Sequence, residues 1–120
     1  LAKSEQREAM EQDEREGLVR EYLDRLLPEN WDKMSIYERR EYICCPDDPT
    51  LPEGKIHRET VSNIEIWCEC FGKKQEDIKS ADSYAIAAIM ERIEGWDKRG
   101  QFKYLKHYGK QRVYTRVKQP

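Results

Sequence analysis

The sequence lacks any apolar run of the roughly 20 residues that a membrane-spanning helix needs. Charged residues make up 38% of its 120 residues, and the mean hydropathy is -1.03. The first residues also lack the succession of basic, apolar and small residues that marks a signal peptide. The sequence therefore predicts a soluble, intracellular protein that has no membrane partner.

The short motifs of nucleotide-dependent enzymes are missing too. The chain has no GxxxxGK[ST] phosphate loop and no GxGxxG segment. Its Asp and Glu residues are spread along polar helical segments, so no two carboxylates stand out as a general acid and base. We therefore predict that this chain by itself is not an enzyme and holds no cofactor.

The cysteines do not have the spacing of a metal site. Cys44 and Cys45 are adjacent, and Cys68 and Cys70 are two residues apart on a predicted helix, where their side chains point about 200° apart. Zinc ligands usually occur as CxxC pairs. The four cysteines are therefore predicted to be free thiols without a metal, with Cys68 in the core.

What the sequence does have is positive charge concentrated at one end. Between Gly95 and Pro120, eight Lys or Arg residues accompany one acid, Asp97, which gives this part a charge of +7. Because the whole chain carries -2, the remaining residues carry -9. Phosphate binding requires local rather than global positive charge, so this asymmetry favours nucleic-acid binding. The alternative is a solvated ribbon that is rich in lysine.

The N-terminal segment predicts a long helix. Residues 1–13 are strong helix formers without an apolar stripe, whereas residues 18–27 carry apolar residues three and four positions apart until Pro28. Because the sequence opens at Leu1 without an initiator Met, we expect a fragment of a longer polypeptide. In this prediction residues 1–17 form an exposed connecting helix after a preceding domain, and residues 18–120 form a single domain.

A second helix and an irregular loop follow. Ser35 and Glu38 have the spacing of a capping box, in which a hydroxyl and a carboxylate bond to each other's backbone N–H at a helix start. Residues 44–55 contain three prolines and a glycine, which predict a surface loop. Residues 55–59 are a candidate short strand that pairs with the C-terminal ribbon.

Residues 60–118 contain two more helical patterns and the basic ribbon. Ser62 and Glu65 repeat the capping box, and the following helix ends at Gly72. A second helix with an apolar face ends before Gly95, and residues 101–106 and 111–118 alternate as strands around a turn at Gly109. The predicted fold is mainly α with a small antiparallel β-hairpin, a winged helix-turn-helix-like domain preceded by a long N-terminal helix.

The second of these helices takes the position of a DNA-recognition helix but has few residues that read bases. Tyr84 and Arg92 point outward in the predicted helix, among Ser, Ala and Glu residues. Base reading in the major groove usually relies on Arg, Lys, Asn or Gln. Contact with DNA, contact with another protein and a purely structural role all stay open for this helix.

The ribbon carries the stronger signal. Val113, Thr115 and Val117 share one face of its second strand, and cations alternate with an aromatic residue on the other, which suits phosphate contact and base stacking. Phe102 and Tyr104 on the first strand either pack on the helices or join this surface. We expect strongly salt-dependent binding in which the ribbon contributes more than the helix. The predicted nucleic-acid-binding residues are Lys98, Arg99, Lys103, Lys106, Lys110, Arg112, Tyr114, Arg116, Lys118, Tyr84 and Arg92.

Four segments carry a family resemblance. They are LVREYLDRLLPENWDKMSIYERREYI, RETVSNIEIWCECFG, a DxxxI helix ending at Gly95-Trp96, and Phe102 with the stretch from Lys106 to Arg116 that contains YGKQRVYTR. In these segments the chain resembles the C-terminal region of the virulence-associated protein E family. Those are replication proteins of phages, prophages and mobile elements, with a P-loop helicase-type ATPase domain that often accompanies a primase domain.

The resemblance implies a context rather than a catalytic site. None of the family's catalytic motifs falls inside this chain, so ATP and Mg²⁺ would be bound only by the ATPase domain that precedes it. The implied function is a C-terminal accessory domain of a replicative helicase or initiator, in the cytoplasm of a bacterial host, that binds DNA through the basic wing. The alternative is an interaction or oligomerisation module that docks the parent ATPase domain, another copy or a host replication protein.

Overall fold

The computed structural model describes residues 14–118 of the chain. Four helices lie in this range: α1 (residues 14–24), α2 (Ile36–Cys44), α3, which begins as Asn63–Glu65 and continues as the π-helical turn Ile66–Cys70, and α4 (Ser80–Arg92). Short 3-10 turns occur at Trp31–Lys33 and Gln75–Asp77. The strands are β1 (Thr60–Ser62), β2 (Trp96–Leu105) and β3 (Gly109–Arg116).

The strands form one antiparallel sheet in the order β1-β3-β2, so β3 is central and β2 is an edge. The protein is therefore a mixed structure of helices packed with a three-stranded antiparallel sheet. The predicted hairpin is present, and its β2 strand is longer than the sequence pattern indicated. Among the described residues, no helix is both long and apolar enough to cross a membrane.

Local capping chemistry starts two of the helices as predicted. The Ser35 hydroxyl accepts from the backbone N–H of Glu38, whose side chain accepts from the backbone of Ser35. Ser62 and Glu65 make the same pair of bonds at the start of α3. Each box satisfies backbone N–H groups that a helix start would otherwise leave unpaired.

Two predicted boundaries are wrong. α1 ends at residue 24 instead of continuing to Leu27, because Leu27 forms a backbone bridge with Ile56 and Pro28 follows it. Residues 55–59 form no strand: the backbone N–H of Leu27 donates to the carbonyl of Ile56 at 2.7 Å, and backbone pairing with the ribbon begins at the last of them, Glu59, whose carbonyl accepts from the N–H of Arg116 at 2.7 Å. The strand that pairs with β3 is β1, which begins one residue later at Thr60.

The main core lies between α1, α3, α4 and the sheet. Val19, Ile66 and Ile86 are fully buried in it, and Cys68 is buried there as predicted. Residues at the start of α1 contact the same body, since Arg15 lies 4.6 Å from the Phe71 ring. Of the connecting helix predicted over residues 1–17, residues 1–13 lie outside the described residues, and residues 14–17 form the first turn of α1.

A buried polar network runs through this core. The Glu69 carboxylate accepts from the hydroxyls of Tyr22 and Tyr108, each at 2.8 Å, and from Nη1 of Arg39 at 3.1 Å. Burial, together with the Glu69 charge, raises the pKa of both tyrosines, so they remain protonated donors at neutral pH. The network joins α1, α2 and α3 to the hairpin turn that contains Tyr108.

Candidate nucleic-acid interface

The tip of the β2–β3 hairpin presents two aromatic and two cationic side chains on one face. In the antiparallel register, Phe102 is opposite Arg112 and Tyr104 is opposite Lys110. Directly opposed residues point to the same side of a sheet, as do residues two apart on one strand. We call these four residues, Phe102, Tyr104, Lys110 and Arg112, the hairpin face.

Both aromatic residues of the hairpin face are exposed. Phe102 is 68% accessible to solvent and Tyr104 is 78% accessible. The Lys110 ammonium lies 5.2 Å from the centre of the Phe102 ring, so a cation and an aromatic ring already lie together on this surface. The alternative in which these two rings pack on the helices is therefore excluded.

The backbone at Gly100 gives Arg112 its position. Gly100 has a φ of +78°, and a Cβ atom there would overlap the Arg112 guanidinium. Nη2 of Arg112 donates to the carbonyl of Arg99 at 3.1 Å. Only a glycine allows the guanidinium to lie this close to the strand in that backbone conformation.

Other predicted cations of the ribbon lie near the hairpin face but are partly engaged. Nζ of Lys98 donates to the Glu91 carbonyl at 2.8 Å. Arg99 pairs with Asp97 at 2.7 Å, and hydrogen bonds from Arg99 lower the pKa of the Asp97 carboxyl to about 2. The charged groups of Lys98 and Arg99, both residues of β2, are therefore already engaged within the protein.

The remaining predicted lysines of the ribbon differ in position. Lys103 pairs in register with Gln111, and its Nζ lies 3.4 Å from Oγ1 of Thr60, on the sheet side opposite the hairpin face. Lys106 and Lys118 are exposed, in the hairpin turn and just after β3. None of the three belongs to the hairpin face.

Tyr114 and Arg116 turn toward the protein body instead of extending the hairpin face. The Tyr114 hydroxyl donates to Oδ1 of Asn63 at 3.0 Å, and burial raises the pKa of this tyrosine. Nε and Nη2 of Arg116 each donate, at 2.7 Å, to the carbonyls of Arg58 and Leu23. The predicted alternating face of β3 is thus exposed at the hairpin tip and covered at the opposite end.

We expect Arg116→Ala to lower the free energy of unfolding by about 2 kcal/mol, because it removes two charge-assisted hydrogen bonds to partly buried carbonyls. Urea unfolding followed by circular dichroism measures this. Arg112→Ala is the matched control, since the exposed Arg112 should change stability by no more than about 0.5 kcal/mol. Equal losses for the two variants would contradict the structural role of Arg116.

On α4, the two predicted contact residues have different environments. Tyr84 is 76% exposed. Arg92 is exposed too, but its Nε donates to Glu16 at 2.7 Å, a bond that lowers the pKa of the Glu16 carboxyl. Arg20 also donates to the carbonyl of Arg92. Arg92 thus connects α4 to α1, and Tyr84 is the more available of the two.

The structure brings together only part of the predicted set. Lys110 and Arg112 lie side by side with Phe102 and Tyr104, two residues for which the sequence left packing and exposure as alternatives. The alternation of Phe102 and Tyr104 with Gln101 and Lys103 indicated that the two rings share one face of the strand. It did not indicate whether the rest of the protein covers that face. No known protein-family model matches the chain and a search of curated proteins finds no match, so the interpretation of this surface depends on its own geometry and charge.

Proposed function

We propose that this chain is an accessory nucleic-acid-binding domain that contacts DNA through the hairpin face. The observation that carries the proposal is the exposure of Phe102 and Tyr104 beside Lys110 and Arg112. Exposed rings stack on bases of any sequence, and neighbouring cations contact the phosphates that link those bases. Large exposed aromatic residues grouped in this way usually mark a binding site.

The pairing of rings with cations favours an unpaired strand over a duplex. Bases within a duplex are already stacked on each other, whereas the bases of a single strand or of a fork can lie on protein rings. The hairpin face has no Asn or Gln aimed at base edges, so modest sequence preference is expected. The preferred ligand is therefore single-stranded or forked DNA.

We further propose that the fold is of the winged helix-turn-helix type. Its support is the chain order α2, β1, α3, α4, β2, β3 together with the strand order β1-β3-β2. In this arrangement β2 and β3 form the wing, and α4 takes the position of the recognition helix. Because α4 offers Tyr84 and few base readers, the wing is the main contact.

The proposed context is a replication protein of a phage or mobile element, similar to the virulence-associated protein E family. The support is the resemblance of the quoted segments. Two of them serve the fold: Trp67 and Cys68 in IEIWCECFG are core residues, and the YGKQRVYTR stretch contains the whole of β3. A preceding ATPase domain would bind ATP and Mg²⁺ and would translocate the strand that the hairpin face holds.

A second candidate function is docking of a protein partner, either the ATPase domain, another copy or a host replication protein. The observation that favours it is an open groove of about 1480 Å³ between α1 and α2. Leu18 and Tyr37 line this groove and are 51% and 68% exposed. Light scattering and a pull-down against the parent ATPase domain would detect such an association.

Fluorescence anisotropy with labelled single-stranded, duplex and forked DNA at two salt concentrations tests the proposed function. We expect single-stranded and forked DNA to bind more tightly than duplex DNA at low salt. The double variant Lys110→Ala/Arg112→Ala should bind more weakly and should reduce the slope of log K against log salt by about 1.4 for a single strand, since each lost phosphate contact removes about 0.7.

The matched control is Arg20→Ala/Lys55→Ala, which removes the same charge from exposed positions outside the hairpin. Its salt slope should remain that of the unaltered protein. A folded chain that binds none of the three DNA ligands at low salt, or two double variants with equal slopes, would contradict the proposed function.

A further inference from the structure

Two adjacent cysteines end helix α2 with their sulfur atoms in contact. Cys44 is the last residue of the helix, Cys45 is its C-cap, and both are exposed free thiols. Their Sγ atoms lie 2.7 Å apart, which is about 0.7 Å longer than a disulfide bond. The two side chains thus already point at each other, and joining them requires no movement of one helix or strand against another.

The other two cysteines of the chain, Cys68 and Cys70, are less accessible. Cys68 is buried and Cys70 is partly buried. Burial raises the pKa of the Cys68 thiol to about 11 and that of the Cys70 thiol to about 12. Their reactive thiolate forms are therefore at least about a hundredfold scarcer at neutral pH than those of ordinary thiols. Thiol chemistry in the folded protein is thereby directed to Cys44 and Cys45.

The contact between the two exposed thiols distinguishes their parts in a reaction. The hydrogen bond with Cys44 raises the pKa of the Cys45 thiol, so Cys45 keeps its proton and donates it toward Cys44. The thiolate is the nucleophile in disulfide exchange. Cys44 is therefore the sulfur that attacks first, and Cys45 is the neighbour that completes the exchange.

A disulfide between these neighbours would be strained. The Cα atoms of adjacent residues are about 3.8 Å apart, below the roughly 4.4–6.8 Å that disulfides usually span. The strain would fall on the peptide group between them, whose N–H, that of Cys45, donates to the carbonyl of Glu41 at 3.2 Å. Strained and exposed disulfides are reduced more easily than structural ones. A bridge at this position would therefore open as well as close.

We infer that Cys44 and Cys45 form a reversible thiol–disulfide exchange site whose co-reactant is a small disulfide such as oxidised glutathione. The Cys44 thiolate attacks one sulfur of that disulfide, whose S–S bond breaks and releases one thiolate. Cys45 then loses its proton and attacks the Cys44 sulfur of the mixed disulfide, which releases the second thiolate. The two departing thiolates take up two protons, so the protein is oxidised by two electrons and the small disulfide is reduced to two thiols.

This site lies on the wall of the groove between α1 and α2. Cys44, Pro46 and Leu51 all line that groove. Closing the ring changes the backbone where α2 meets the following loop, so the redox state of the pair alters a surface that a docked protein would contact. The inference is independent of the proposed DNA contact, because the hairpin face belongs to β2 and β3.

Mass spectrometry after digestion with trypsin tests the site. Peptide 41–55 contains both exposed cysteines, and the other two fall together in peptide 59–73. The folded protein is incubated with oxidised glutathione, and its remaining thiols are then alkylated in urea. Peptide 41–55 should be two hydrogens lighter than its reduced form and carry no alkyl group, whereas peptide 59–73 should be alkylated at both cysteines. Oxidation of the first peptide should be at least about a hundredfold faster.

Cys44→Ser and Cys45→Ser are the matched variants, because each keeps one exposed thiol and cannot close the ring. Each should accumulate a mixed disulfide with one glutathione, which the unaltered protein should not. In the unaltered protein, an unoxidised peptide 41–55, two glutathiones on that peptide, a bridge from it to peptide 59–73, or equal rates for the two peptides would overturn the site. A bridge that excess reduced glutathione does not open would overturn its reversibility.

Discussion

Replacing Phe102 and Tyr104 together by alanine is expected to weaken single-stranded DNA binding by at least about thirtyfold, because each base stacked on an aromatic ring contributes about 1–3 kcal/mol. The salt slope should not change, since neither residue is charged. This pattern separates stacking from phosphate contact. The Lys110→Ala/Arg112→Ala variant should show a smaller dependence of log K on log salt, whereas the aromatic variant should bind more weakly by the same factor at every salt concentration. Anisotropy titrations at three salt concentrations measure both quantities.

Two tyrosines elsewhere provide matched controls for the aromatic variant. Tyr84 on α4 is 76% exposed, close to the 78% of Tyr104, and Tyr37 on α2 is 68% exposed, as is Phe102. If the wing is the main contact, Tyr84→Ala should cost less affinity than Tyr104→Ala, and Tyr37→Ala should cost none. A larger loss from Tyr84→Ala would show that α4 is the contact element and that the hairpin face is not.

Because Phe102 and Tyr104 are exposed, replacing both by alanine should leave the fold intact. Surface substitutions away from special features usually change stability by less than about 0.5 kcal/mol. The unfolding curve of the aromatic variant should therefore match that of the unaltered protein. Its loss of binding can then be assigned to the surface itself and not to unfolding of the hairpin.

Local rules were sufficient to predict much of the architecture from sequence. Ser35 and Ser62 mark helix starts through bonds to residues three positions away, and Gly109, with a φ of +76°, allows the turn into β3. Such signals lie within a few residues of each other, so they do not depend on the rest of the fold. The hairpin and the helix order were therefore predictable.

Which part of a strand is covered could not be predicted in the same way. Arg112, Tyr114 and Arg116 alternate on β3 as one face, yet the last two contact Asn63, Arg58 and Leu23. Those partners lie about 50 to 90 residues away in the chain. Strand periodicity gives the side of the sheet, whereas covering depends on distant elements that the pattern does not contain.

The same limit applies to the acidic residues of α3. Glu65 and Glu69 look like solvent-facing positions in IEIWCECFG, but both are buried, at 6% and 2% exposure. Their partners include Arg39, Arg58 and Tyr108, which come from three other segments. A buried charge is tolerated only when such partners converge on it, and this convergence is a property of the tertiary structure.

Glu69→Ala is accordingly expected to cost about 3–5 kcal/mol of stability, the usual effect of removing one partner from a buried ion pair. The Glu69 side chain is fully buried and accepts from Arg39, Tyr22 and Tyr108. Its loss leaves a buried guanidinium without its counter-charge and two hydroxyls without acceptors. Because a domain is typically stable by only about 5–15 kcal/mol, thermal and urea unfolding should show a large shift.

Two control variants separate the loss of the buried network from the effect of a substitution elsewhere. Tyr108→Phe removes one hydroxyl from the network but keeps the ion pair, so it should cost about 1 kcal/mol. Glu41→Ala, at an exposed position on α2, should change stability by no more than about 0.5 kcal/mol. A Glu69→Ala variant as stable as Glu41→Ala would show that the buried carboxylate does not hold the hairpin turn to α3.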